Sequence, residues 1–383
     1  MAFIANIRIS SLLVQICFLS FSFGTTTEAC HRTDRVALLD FKSKISEDFD
    51  LLKTWNQSTD CCIKWEGVAC DRHGRVVSVD RRGIYGFDPE DSWMDMYING
   101  TISPSLGKLK FLSYLDLSNH KHLHGTIPLE LGKLSHLTTL HLHSNNLRGS
   151  IPASFQNLRK LKILHLGENR LSGTVPINIF QHMSSLSELV IYDNKLSGRI
   201  PSSIDKLVSL QRFDFYQNNF SGSIPTSIGE LSKLQDLRLS RNSLSGNIPA
   251  SIGNITALQY LALDNNMLTG KLPKSIGNIT NLQYLYAQNN RLTGKIPSLV
   301  STTLKVLDMS YNPLSLGNIP SWISKMNYLG ELNLARTGLT GKLPAWLGNM
   351  TNLFTLNISN NGFHSDIPNE SKALSVLDCN RVE

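Results

Sequence analysis

Residues 134–152, LSHLTTLHLHSNNLRGSIP, constrain this chain more than any other stretch. Leu134, Leu137, Leu140, Leu142, Leu147 and Ile151 are apolar at fixed offsets, with Asn145, Gly149 and Pro152 between them. The same pattern returns at 158–176, 231–249, 255–273 and 279–297. A unit repeating every ~24 residues has one apolar face and cannot cover it alone, so the next unit must do so. Stacking of this kind replaces the two or three separate cores that 383 residues would otherwise suggest.

The spacing is the signature of a leucine-rich repeat solenoid, an α/β architecture. Eleven full repeats run from Leu109 to 370, and 371–383 hold a partial one. Each coil is expected to give a short parallel strand of form xxLxLxx, with its two Leu inward and the x residues outward on a concave sheet. Eleven strands spaced by about 4.8 Å line a surface on the order of 50 Å long. A Gly-x-aliphatic-Pro step, as at Gly149 and Gly222, then turns the chain. Asparagine recurs in a ladder at Asn145, Asn169, Asn194, Asn218, Asn242, Asn266, Asn290, Asn312 and Asn361. A buried amide donates and accepts at once, so it can satisfy backbone groups of adjacent coils. His120 and Thr337 take this place in the first and tenth repeats, and both are expected to be local irregularities.

Residues 1–29 read as a secretory signal peptide, with Arg8, an apolar run over 11–23 and small residues before a cut near Ala29. That run is short of the roughly 20 residues a membrane span needs. Export permits disulfides, and Cys30, Cys61, Cys62 and Cys70 cluster in a cap over 30–75. Cys61 and Cys62 are adjacent and poorly placed to bond each other. Cys30–Cys61 with Cys62–Cys70 is expected, and Cys30–Cys62 with Cys61–Cys70 is the alternative. Thr33 is expected to cap a helix burying Ala37, Leu38, Phe41 and Ile45. Residues 76–108 hold a first strand and an irregular, aromatic-bearing insertion. At the other end Leu374 and Leu377 begin a twelfth strand, Cys379 has no partner, and a shortened, fraying end is expected.

The arrangement C…DRVALLDFKSKI…LKTWN…DCCIKWEGVAC, followed by the Gly-x-aliphatic-Pro steps, resembles the plant extracellular leucine-rich repeat proteins. That family includes polygalacturonase-inhibiting proteins, receptor-like proteins and receptor-kinase ectodomains. The resemblance implies a curved right-handed superhelix, a second short strand after each turn, and a two-cysteine C-terminal cap that is missing here. It also implies that the concave face carries the contacts to a target.

No phosphate loop, HExxH motif, nucleophile elbow or CxxC pair is present, so no enzymatic activity, cofactor or metal is expected. The informative residues are those expected to face outward. They comprise His141, His143, His165, Glu168, Tyr192 and Asp193, then Arg212, Asp214, Tyr216, Arg238 and Arg241, and finally Tyr260, Asp264, Tyr284 and Tyr286. Tyr and Arg dominate protein interfaces, whereas a merely solvated face would favour Lys, Glu and Ser. His141, His143 and His165 come near metal-ligand spacing, but surface histidines are ordinarily polar surface, and a pH-dependent contact ranks ahead of a metal site. A partner protein is therefore expected: a wall-degrading enzyme such as polygalacturonase, a peptide ligand, or a receptor kinase. The formal charge of +7 leaves acidic wall polysaccharide as a further partner. Nucleic acid is excluded by export and by scattered basic residues. Asn56, Asn99, Asn219, Asn254, Asn278, Asn349, Asn357 and Asn369 are sequons for N-glycans. Asn219, directly after a ladder residue, is expected to be poorly accessible.

Overall fold

The computed structural model describes residues 29–87, 93–315, 317–364 and 377–378. The signal-peptide reading of 1–28, Leu374, Cys379 and the sequon at Asn369 lie outside the described residues.

The expected coil is observed in every repeat. Short strands Tyr114–Asp116, Thr139–His141, Ile163–His165 and onward to Thr355–Asn357 pair in parallel, joined by Val68–Cys70, Val76–Asp80 and Leu377–Asp378 into a fourteen-stranded sheet. Their central Leu or Phe residues, such as Leu140, Phe213 and Leu261, are fully buried. A second, ten-stranded sheet follows the turns, and nine short 3-10 helices stack on the flank among the described residues. Glycines in that second sheet are left-handed, as at Gly198 (φ 81°), where Cβ added to the backbone would also come 2.8 Å from Thr174 Cγ2. The turn requires this residue type.

The asparagine ladder acts as the chemistry demands. Asn266 Nδ2 donates to the carbonyls of Leu239 (3.0 Å), Leu263 (3.1 Å) and Asp264 (3.1 Å), while its Oδ1 accepts from the Leu244 amide (2.9 Å). Each amide thus ties its own coil to the preceding one. The residue before the ladder position is left-handed without being glycine, for example Glu168, Asp193 and Arg241 at φ 49–54°. Such backbone costs on the order of 1 kcal/mol and persists because the ladder hydrogen bonds hold it.

Two departures were informative. His120 is not an irregularity but a working substitute, fully buried, accepting from the Ile98 amide through Nδ1 (3.2 Å) and donating from Nε2 to the Arg81 carbonyl (2.6 Å). Burial holds it down to about 4, so the neutral ring supplies one donor and one acceptor as an amide would. Thr337 does break the pattern: its hydroxyl donates to the Leu334 carbonyl of its own coil (2.6 Å) and lies 3.4 Å from Asn361 Oδ1 of the next, and among the described residues it makes no bond to the preceding coil. The second sheet stops nearby, continuing as one bridge, Gly317 to Leu339, and a separate pair, Thr340–Gly341 with Gly362–Phe363.

The cap closes the first coil. Disulfides join Cys30 to Cys61 and Cys62 to Cys70. Helix Arg32–Ser43 starts earlier than expected, because His31, not Thr33, caps it by accepting from the Thr33 amide. Ala37, Leu38 and Phe41 are buried, while Ile45 leaves the helix and opens strand Ile45–Glu47. Trp55 and Trp65 stack at 5.4 Å. Fully buried Asp34 accepts two bonds from Arg75 (2.9 and 2.8 Å) and one from the Val76 amide (3.0 Å), locking the helix to the first strand. The insertion after that strand forms a hairpin, Ile84–Phe87 against Trp93–Met96.

Candidate ligand-binding face

Parallel register sets the outward residues in rows across the sheet. Glu188, Arg212, Asp236, Tyr260 and Tyr284 form one row, and His165, Val190, Asp214, Arg238, Ala262 and Tyr286 the next. Alternation within each strand makes these rows project on the same side as the next outward residues, Tyr192, Tyr216, Ser240 and Asp264.

These rows enclose a hollow of about 520 Å³. Nine of the residues singled out from sequence line it: Tyr192, Arg212, Asp214, Tyr216, Arg238, Arg241, Tyr260, Asp264 and Tyr286. Ser240, Ala262 and Gln288 complete the lining and were not anticipated. Shifting the sequence by one repeat at a time from Tyr192 and Tyr216 would have found Ser240 and Gln288.

Inside the hollow much of the charge is already paired. Arg238 Nε donates to both oxygens of Asp236 (2.9 and 3.1 Å), and Arg212 reaches Asp214 (3.3 Å) and Asp236 (3.8 Å). Burial pushes the Asp214 carboxyl up, against Arg238 and Arg212, which pull it down. Burial also opposes the Arg238 charge, but the hydrogen bond to Asp236 and the Asp214 carboxylate outweigh it. Arg238 is therefore a structural counter-ion as well as a surface residue. Arg241 differs: among the described residues it makes no ion pair, and its guanidinium lies 5.6 Å from the Tyr216 ring. Arg238 sits 4.4 Å over the Tyr260 ring, and Tyr284 and Tyr286 lie 5.5 and 5.6 Å from Tyr260. Burial pushes the Tyr260 hydroxyl up to about 12 and that of Tyr286 higher still, so both stay neutral donors. Gln288 Oε1 is buried with no hydrogen-bond donor among the described residues.

The other expected contact residues lie outside this hollow. Tyr284 is beside it, under Lys305 (5.7 Å). Glu168 and Asp193 are not on the strands but on the left-handed turns. Glu168 accepts from Tyr192 (3.1 Å) and Asp193 from Gln217 (2.9 Å). His141, His143 and His165 form a separate cluster toward the cap, with ring centroids 4.7–6.0 Å apart. Burial holds His141 down to about 4 and lowers His143.

Of the sequons, Asn254, Asn278 and Asn349 end 3-10 helices and are exposed, as is Asn56 in the cap. Asn219 is exposed too, contrary to expectation, because it starts a strand of the second sheet on the rim. Asn99 is half-buried, and Asn357 lies half-buried on the concave sheet, accepting from Ser359.

The cap, ladder and face define a leucine-rich repeat solenoid closed by a disulfide-bonded N-terminal cap. Residues 31–71 match the leucine rich repeat N-terminal domain, and 135–196, 209–231, 232–292 and 303–326 match leucine rich repeats, together more than half of the chain. The chain belongs to the leucine-rich repeat family, as an extracellular protein of plant type. It is similar to receptor-like protein EIX1 of Solanum lycopersicum, 38% identical over 103 residues, which are 26% of this chain and 10% of that protein. Among solved structures it resembles the Arabidopsis receptor kinase HAESA in complex with the peptide hormone IDA and the co-receptor SERK1. The TM-score is 0.68 and the identity 31%, covering 89% of this chain and 60% of that one. It also resembles PEPR1 in the PEPR1-AtPEP1 structure, with a TM-score of 0.67 and 29% identity, covering 90% and 54%. The chain thus spans about a tenth of the matched receptor-like protein and little more than half of the solved ectodomains. Among the described residues no helix is long and apolar enough to cross a membrane.

Proposed function

We propose that this chain is a receptor-type recognition module that binds an extracellular peptide along its concave face and presents it to a membrane receptor kinase. The observation that carries the reading is the hollow itself, where four Tyr and three Arg converge from consecutive coils and Arg241 makes no ion pair among the described residues. An extended peptide crossing the strands would lay apolar side chains on Tyr216, Tyr260 and Tyr286 and offer a carboxylate to Arg241. Gln288 Oε1 would then take a backbone N–H from the peptide. Solved relatives whose names pair them with peptides support the same mode.

Asp214, Asp236 and Asp264 among the arginines make the face poor for a polyanion such as acidic wall polysaccharide, since each would repel it. Inhibition of polygalacturonase draws on the resemblance alone. Affinity capture from plant cell-wall extract at mildly acidic pH separates these readings. Recovery of a small peptide, alone or with a receptor kinase, supports the proposal. Recovery of a polygalacturonase would replace it with the inhibitor reading, and wall polysaccharide lost at high salt with the electrostatic one.

A further inference from the structure

We propose that His141, His143 and His165 form a binding site for a divalent transition-metal ion of the zinc or copper class, separate from the tyrosine–arginine hollow. His141 ends the strand Thr139–His141, His143 follows two residues further along the same coil, and parallel pairing sets His165 directly beside His141. Each ring offers a nitrogen, and the three nitrogens lie within 4.8 Å of one another. Bonds of about 2.0–2.1 Å to a tetrahedral ion bring such nitrogens to roughly 3.3 Å apart, a contraction that small side-chain rotations supply.

Two further observations point to an ion rather than to polar surface. Nδ1 of His141 and Nδ1 of His143 are both buried without a hydrogen-bond partner among the described residues, which is costly for polar nitrogens unless something occupies them. Glu188 Oε2 lies 2.9 Å from Nε2 of His165. A carboxylate only accepts, so Nε2 carries the proton and Nδ1 keeps its lone pair for a ligand. This carboxylate–imidazole pairing is the arrangement that orients and strengthens metal-binding histidines. Asp116, in register with His141 on the other side, accepts from Tyr114 (3.1 Å) and adds a second negative charge beside the cluster. The only other cluster of this kind among the described residues, Cys30, Cys61 and Cys62, is committed to disulfides.

Three imidazoles suit zinc and copper better than the oxygen-seeking calcium or magnesium. They leave a fourth position, which takes water or a donor group from whatever lies on the face. The proposal does not depend on the peptide reading and is tested with metal alone.

Calorimetric titration of the untagged, exported chain with ZnCl₂ should show one tight site, with Kd of about 10 μM or below. His141→Ala and His165→Ala should each weaken it at least ~30-fold, and Glu188→Gln, a positioning change, about 10-fold. His122→Ala, an exposed histidine outside the cluster, should leave it unchanged. X-ray absorption on the zinc-loaded protein should show imidazole nitrogens at about 2.0–2.1 Å. Equal binding by wild type and a folded His141→Ala/His143→Ala/His165→Ala variant, checked by its thermal transition, would overturn the proposal. So would calcium binding as tightly as zinc.

Discussion

Replacing Asn266 by Ala tests the ladder on which the concave face is built. The substitution strands the Leu244 amide, whose partner in the structure is Asn266 Oδ1 at 2.9 Å. The carbonyls fare better: Leu239 keeps a bond from Asn242 Nδ2 (3.1 Å), and Leu263 keeps one from Asn290 Nδ2 (3.0 Å). The Asp264 carbonyl likewise keeps the Arg241 amide (3.0 Å), so the loss is one fully stranded buried donor, worth about 1–3 kcal/mol, plus three half-served acceptors. A total of about 2–4 kcal/mol follows. Urea unfolding followed by circular dichroism reads it as a lower midpoint with unchanged slope. Asn266→Asp sharpens the test. Its carboxylate still accepts from Leu244 but faces the carbonyls of Leu239 and Leu263 with no proton to give. At pH 7 the aspartate variant is expected to be less stable than the alanine variant, and the gap should narrow as acid protonates the carboxylate. A shift below about 0.5 kcal/mol for the alanine variant, or an aspartate variant as stable as wild type at pH 7, would refute the ladder argument.

Three other outcomes follow from the structure. Asp34→Ala should cost about 3–5 kcal/mol, because it leaves the Arg75 guanidinium and the Val76 amide without their buried partner; secreted yield and thermal unfolding read the loss. His120 gives a pH dependence. Its folded value of about 4 lies below the ordinary 6.5, so the unfolded chain binds the proton first and stability falls as pH drops from 6.5 toward 4. The loss approaches about 3 kcal/mol at ~1.4 kcal/mol per unit, and His120→Asn should flatten that part of the pH profile. The structure also separates two arginines: Arg241→Ala should leave urea stability within about 0.5 kcal/mol, whereas Arg238→Ala should lower it measurably by uncovering Asp214 and Asp236.

The repeat made most of the fold legible. Leu140, Asn145 and Gly149 each have one task that suits their residue type, and the task recurs in nearly every coil. The cap disulfides were legible too, since adjacent Cys61 and Cys62 left few pairings. What the pattern concealed were substitutions that do the same job by different atoms. His120 reads as a break because an imidazole is not an amide, yet its two ring nitrogens replace Oδ1 and Nδ2. On the concave face, residue type marked Arg212, Tyr216 and Tyr260, but it could not separate Arg238, consumed by Asp236, from Arg241, which is free of ion pairs among the described residues. That distinction depends on side-chain direction across strands. Glu168, Asp193 and Arg241 all sit on the left-handed turn rather than on a strand, and only Arg241 reaches the hollow from there.

The central claim is that the tyrosine–arginine hollow is where a peptide docks. The most direct measurement is the dissociation constant of a peptide captured from wall extract, compared across wild type, Tyr216→Ala/Arg241→Ala, and Lys274→Ala on the flank. The account predicts a loss of about 100-fold or more for the double variant, as for two contact residues at the centre of an interface, and under about 3-fold for Lys274→Ala. Equal affinity of the double variant and wild type, with both folded, would contradict it.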